Sequence, residues 1–162
     1  MENALFLDVC RKQYRAMFQM VREAVKACPD EVWDKRSKEP PFWQQAYHTL
    51  WAVDFYLGRS PDEYRLDPRF DLSADSLGKR PAESASRELV LKYLDKVSRK
   101  CAKRLKELAD ADLGGSNPFP WTGPTPAHHL VYNLRHAQHH VGWMNSILRR
   151  KGAKPAQWIC SA

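Results

Sequence analysis

Apolar residues recur every three or four positions in four long segments, and no segment alternates apolar and polar residues as a half-buried strand does. The first segment runs from about Leu5 to Cys28, with Phe6, Val9, Cys10, Met17, Val21 and Val25 along one stripe. Pro29-Asp30 then breaks it. The second begins after Pro40-Pro41 and reaches Gly58, which suits a helix C-cap; Trp43, Tyr47, Leu50, Trp51 and Leu57 form its apolar face. The third runs from about Ala85 to Ala109 and buries Val90, Tyr93, Leu94, Val97, Cys101, Leu105 and Leu108. The fourth opens at Thr125-Pro126, where threonine can cap free backbone N–H groups and proline takes the first helical position. It should end near Lys151-Gly152. The pattern predicts an all-α fold, a four-helix bundle in a single domain over residues 1–162.

The connections add detail. Between the second and third helices, Arg59 to about Ser84 is too long for a tight hairpin and predicts a crossover, with a helical turn at "SPDEY" where Ser60 and Glu63 form a capping-box pattern. The segment "DADLGGSNPFPWTGPT" leads into the fourth helix. Its Phe119 and Trp121 either wall a site at that end or pack as an ordinary surface loop.

Composition narrows the functional classes. With 43% hydrophobic and 28% charged residues in 162, the chain has the make-up of a soluble globular protein, able to fold without metal or disulfide staples. No signal peptide or membrane span is visible, which makes the cytoplasm the default expectation. Cys10, Cys28, Cys101 and Cys160 are widely spaced and read as small core residues in a reducing compartment. The net charge of +7 raises nucleic acid as a partner. Much of the excess lies in "KVSRKCAKRLK", where Lys96, Arg99, Lys103 and Lys106 recur at helical spacing opposite the apolar positions. That is the pattern of a solvated helix face, and no helix-turn-helix, zinc-finger or aromatic RNA-binding motif accompanies it.

The candidate chemistry is in "NLRHAQHHVGWM", which holds three of the six histidines. Residues four apart share a helix face, so His136 and His140 can reach one metal ion, while His139 is rotated by about 100° from His140. The stripe His129, Asn133, His136, His140, Trp143 and Ile147 puts the pair on the inward half of the helix. Neutral imidazole suits zinc, nickel and iron(II). A pair alone can equally be core; His48, within the apolar second helix, supplies a third histidine on another element. Three imidazoles would leave metal positions open for water, as a catalytic site requires.

Other metal architectures do not fit. Ala137 stands where a His-Glu-x-x-His peptidase has its glutamate, and neither Glu-x-x-His nor Cys-x-x-Cys-His occurs; a non-covalent haem bundle using His and Met stays open. Asp54 falls within the apolar arc of the second helix, where a charge needs a partner. That partner is either a metal-bound histidine or, in a structural role, Arg135 or a tyrosine hydroxyl.

His48 in "YHTLWAVDFYL" followed by His-x-x-His-His-x-Gly in "RHAQHHVG" resembles the DinB-like, or YfiT-like, group of metal-dependent enzymes, over the whole chain in helix order. The resemblance implies a four-helix bundle with a long connection between helices two and three, frequently a homodimer. It also implies zinc or nickel on His48, His136 and His140, leaving His139 as an outer or surface residue. Many relatives have glutamine after the glycine, where this chain has Trp143. Characterised relatives include transferases and isomerases that use low-molecular-weight thiols, and others are taken to be hydrolases. The expectation is therefore an enzyme in which a divalent metal activates water or a thiol against a small-molecule substrate, with Trp43, Trp51 and Trp143 as candidate pocket walls. The alternatives are a non-catalytic metal-binding or interaction bundle, and nucleic-acid binding through the basic face of the third helix.

Overall fold

A computed structural model describes residues 2–108, 113–160 and 162. The described residues form five α-helices and no strand: α1 (Glu2–Ala27), α2 (Asp30–Trp33), α3 (Phe42–Tyr56), α4 (Arg87–Glu107) and α5 (Pro126–Arg150). The four long helices are those the periodicity predicts. The single turn α2 was not anticipated; Pro29 starts it and its acidic first turn, Asp30 and Glu31, suits a helix N-terminus. Ser86 caps α4 by accepting from Leu89 N, and Thr125 caps α5 by accepting from His128 N. The expected end of the third helix at Ala109 lies outside the described residues. At the far end of α5, Gly152 takes a left-handed φ of 71°, so chain reversal there favours glycine.

α3 packs against α5 and α4, and α1 packs against the same two, so α1 and α3 stand diagonally across the bundle. The inward stripe of α1 is Leu7, Cys10, Tyr14, Met17, Val21, Ala24 and Cys28. At its start this stripe differs from the sequence reading: Leu7 is fully buried, while Val9 is 48% exposed and Phe6 only half-buried. The three-four spacing that continues to Cys28 starts from Leu7, and Val9 is turned off it. α3 is buried on nearly every side, which explains its apolar character; Trp43 is core, donating from Nε1 to Asp34 Oδ1 at 2.8 Å. Cys10, Cys28 and Cys101 are buried as expected, but Cys160 is exposed.

The crossover between α3 and α4 is held by side chains, not by a sheet or helix of its own. Tyr47 Oη donates to Phe70 O at 2.6 Å, and Gln44 Nε2 donates to Ser76 O and Lys79 O at 3.0 and 2.9 Å. Ser60 Oγ accepts from Glu63 N at 3.2 Å, which makes a turn but no helix; a 3₁₀ turn forms instead at Pro68–Phe70, capped by Asp67. No helix among the described residues is long and apolar enough to cross a membrane.

Candidate metal centre

α3 and α5 bring His48, His136 and His140 together, with one ring nitrogen from each lying within 4.8 Å of the others. His136 and His140 face each other because one turn of α5 separates them, and their Nε2 atoms are 3.2 Å apart. His48 comes from the facing helix, its ring centroid 4.8 Å from that of His140 and 5.7 Å from that of His136. His140 is buried and the other two are half-buried.

The local chemistry sets the tautomers. His48 Nδ1 lies 2.6 Å from Asp75 O in the crossover, and a carbonyl can only accept, so Nδ1 carries the proton and Nε2 keeps its lone pair. Burial, together with the other imidazoles, pushes His136 down to about 4 and His140 down to about 3, and burial lowers His48 as well. All three rings are therefore neutral near pH 7, the form that binds metal.

These residues fit a divalent ion. Two nitrogens on one tetrahedral ion at the usual zinc–nitrogen length stand about 3.4 Å apart, close to the His136–His140 separation. The Nδ1 atoms of His136 and His140 are buried without partners, as are both polar atoms of Asn133 one turn earlier on α5. Among the described residues no carboxylate belongs to the cluster, which disfavours calcium and magnesium and suits the borderline ions that imidazole prefers.

The model for the DinB superfamily matches residues 13–144. The chain belongs to the DinB superfamily. No curated protein matches it. The all-helical DinB fold with its three-histidine group is what the motifs in α3 and α5 imply.

Around the centre the DinB chain is aromatic. Trp51 stacks on His48 with centroids 6.0 Å apart, and Phe55 stacks on Trp51 at 5.5 Å. Tyr132 lies parallel to His136 at 6.2 Å, and Tyr56 meets its edge at 6.3 Å. The sequence reading missed both tyrosines, although Tyr132 is four residues before His136 on the same helix face. His139 is exposed, its centroid 5.2 Å from that of His140 and 6.5 Å from that of Trp143. Trp143, placed on the inward stripe by the sequence, is 40% exposed; Met144 takes the buried position instead.

Two other expectations change. Asp54 is fully buried but makes no contact with the three histidines. Its carboxylate takes Lys100 at 2.6 Å, Lys96 at 3.1 Å, and the hydroxyls of Tyr93 and Tyr64 at 3.0 and 3.3 Å. Arg135, the partner considered from the sequence, sits instead over the Tyr132 ring. Lys96 is thus part of an inter-helix ion pair and not of a purely solvated face. In the loop before α5, Phe119 stacks on His129 at 4.6 Å, and the exposed Trp121 donates from Nε1 to Tyr56 Oη at 3.3 Å. His129 itself is spoken for at both nitrogens, by Thr122 Oγ1 at 2.9 Å and Tyr56 O at 2.6 Å.

Proposed function

We propose that this DinB-superfamily protein is a metal-dependent enzyme, a hydrolase or a thiol S-transferase, with His48, His136 and His140 as ligands for zinc or nickel. The observation that carries this reading is the convergence of three neutral imidazoles from two helices, with no acid beside them among the described residues. A divalent ion held there supplies Lewis acidity, lowering the pKa of a water or low-molecular-weight thiol and making it a nucleophile near neutral pH. The chain's own residues do the remaining work. Asp75 O fixes the His48 ring and its tautomer; Trp51 and Tyr132, stacked on two of the ligands, limit ring rotation and hold water away from their faces. Tyr56 Oη accepts the Trp121 N–H and shares a further hydrogen bond with the Tyr132 hydroxyl, which holds the two rings together beside His136.

The test has two steps. Elemental analysis of the purified protein, then hydrolase and thiol-transferase assays with zinc and nickel forms, should give stoichiometric metal and metal-dependent turnover. Metal without turnover would leave a non-catalytic metal-binding bundle; neither metal nor stabilisation by added zinc or nickel would remove the reading altogether. The same proposal extends to a homodimer, which sedimentation over a range of concentrations decides.

A further inference from the structure

The seam between α1 and α4 lies across the bundle from the histidines. The two helices run antiparallel: Arg11 Nη2 reaches Leu105 O at 3.5 Å near one end, and Arg87 Nη1 donates to Val25 O at 2.8 Å near the other. Along the first half of this seam opens a groove of about 600 Å³. That volume is within the range of small-molecule sites. Arg11 to Phe18 on one side and Ser98 to Lys106 on the other give it a length of about 10 to 12 Å at the helical rise.

The charge of the groove is one-sided. Arg11, Arg15, Arg99 and Lys106 line it, and among the described residues no carboxylate does. None of the four makes an ion pair among the described residues, because the acids nearest them in sequence are engaged elsewhere. Asp8 pairs with Lys12 at 2.8 Å, Asp95 with Arg22, and Glu107 with Lys103 and Arg104 at 3.9 and 3.7 Å. Asp8 offsets part of the charge of Arg11 and Arg15 from a distance, but four cations without a direct ion pair around one groove still favour an anion between them. Beneath them the lining is apolar, with Phe18, Cys101, Leu105 and the ring of Tyr14, whose hydroxyl is already bonded to Leu130 O, and Ala102 stands at the exposed rim. The aliphatic stems of the arginines add to that surface.

We propose that this groove binds a free amphipathic carboxylate, a medium-chain acyl anion with its tail on the apolar lining and its head on the cationic rim. A membrane headgroup fits less well: none of the exposed large apolar residues Leu5, Val9, Trp121, Val131, Trp143 and Trp158 lines the groove, so the site itself presents no apolar anchor to a bilayer. A nucleic-acid backbone would use the cations but leave the recessed apolar lining unused. The site also gives Arg99 and Lys106 of α4 a role that needs neither of those partners.

Calorimetric titration of the full chain with sodium decanoate tests this. One decanoate should bind per chain, and Arg15→Ala combined with Arg99→Ala should weaken it by at least about tenfold, the loss expected for charge-assisted contacts. Ala102→Trp, at an exposed position whose ring would fill the groove, should abolish binding while helix content by circular dichroism is kept. His48→Ala should bind decanoate as wild type does, which separates this site from the metal centre. Equal affinity for 1-decanol, wild-type affinity in the double variant, or no effect of Ala102→Trp would overturn the proposal. So would binding to phosphatidylglycerol vesicles or a DNA duplex with none to decanoate.

Discussion

At the residue scale, Asp54 shows how a buried charge is made tolerable. Burial alone would raise its carboxyl, but hydrogen bonds and charge from Lys100 and Lys96 outweigh that and hold it below the ordinary 3.8. A carboxyl with a depressed folded-state value stabilises fully above its unfolded value and loses that contribution as pH falls through the folded one. Asp54→Ala should therefore cost about 3 kcal/mol near neutral pH, measured by urea denaturation. The difference from wild type should shrink below about pH 4, where the wild-type carboxyl is progressively protonated. An equal cost at pH 7 and pH 2.5 would mean that the lysine pairing is not what stabilises the carboxylate. The sequence shows that Asp54 needs a partner and offers a tyrosine hydroxyl, which Tyr93 and Tyr64 supply, but it does not show the lysines. Lys96 reads as a surface residue because a long aliphatic stem lets a lysine start on one face and end on another.

At the scale of elements, the boundaries of α3 and α5 were the most legible feature, since their signals are local: Pro40-Pro41 before α3 and Thr125-Pro126 before α5; the Ser86 cap of α4 lies one residue past the predicted start at Ala85. Thr125→Ala should cost about 1 kcal/mol by removing the cap of the helix that carries two of the candidate ligands. Just before it, Gly123 has a φ of 123°, and a Cβ there would lie 2.6 Å from the Cβ of His128. Gly123→Ala should destabilise by about 1 to 3 kcal/mol through backbone strain and the clash. Urea midpoints of the two variants check both figures; an unperturbed Gly123→Ala protein would mean that this turn does not set the entry to α5. The pair His136 and His140 was readable for the same local reason, one turn of one helix. The anchor on His48 was not, because a backbone carbonyl donated by the crossover has no sequence signature.

At the scale of the whole molecule, the bundle places two dissimilar surfaces on opposite seams. α3 and α5 hold neutral imidazoles among aromatic rings, and α1 and α4 hold cations without a direct ion pair over an apolar lining. The four long helices, the crossover between the second and third of them, and the histidine trio followed from periodicity and spacing. Which helices adjoin, the single turn α2, and that Trp143 faces outward depend on tertiary packing that periodicity does not encode. The central claim, that His48, His136 and His140 jointly hold one ion, is tested most directly by metal content. Elemental analysis should find about one zinc or nickel per wild-type chain and in His139→Ala, and little in His48→Ala, with helix content by circular dichroism retained in all three. Full metal in His48→Ala, or its loss in His139→Ala alone, would contradict the account.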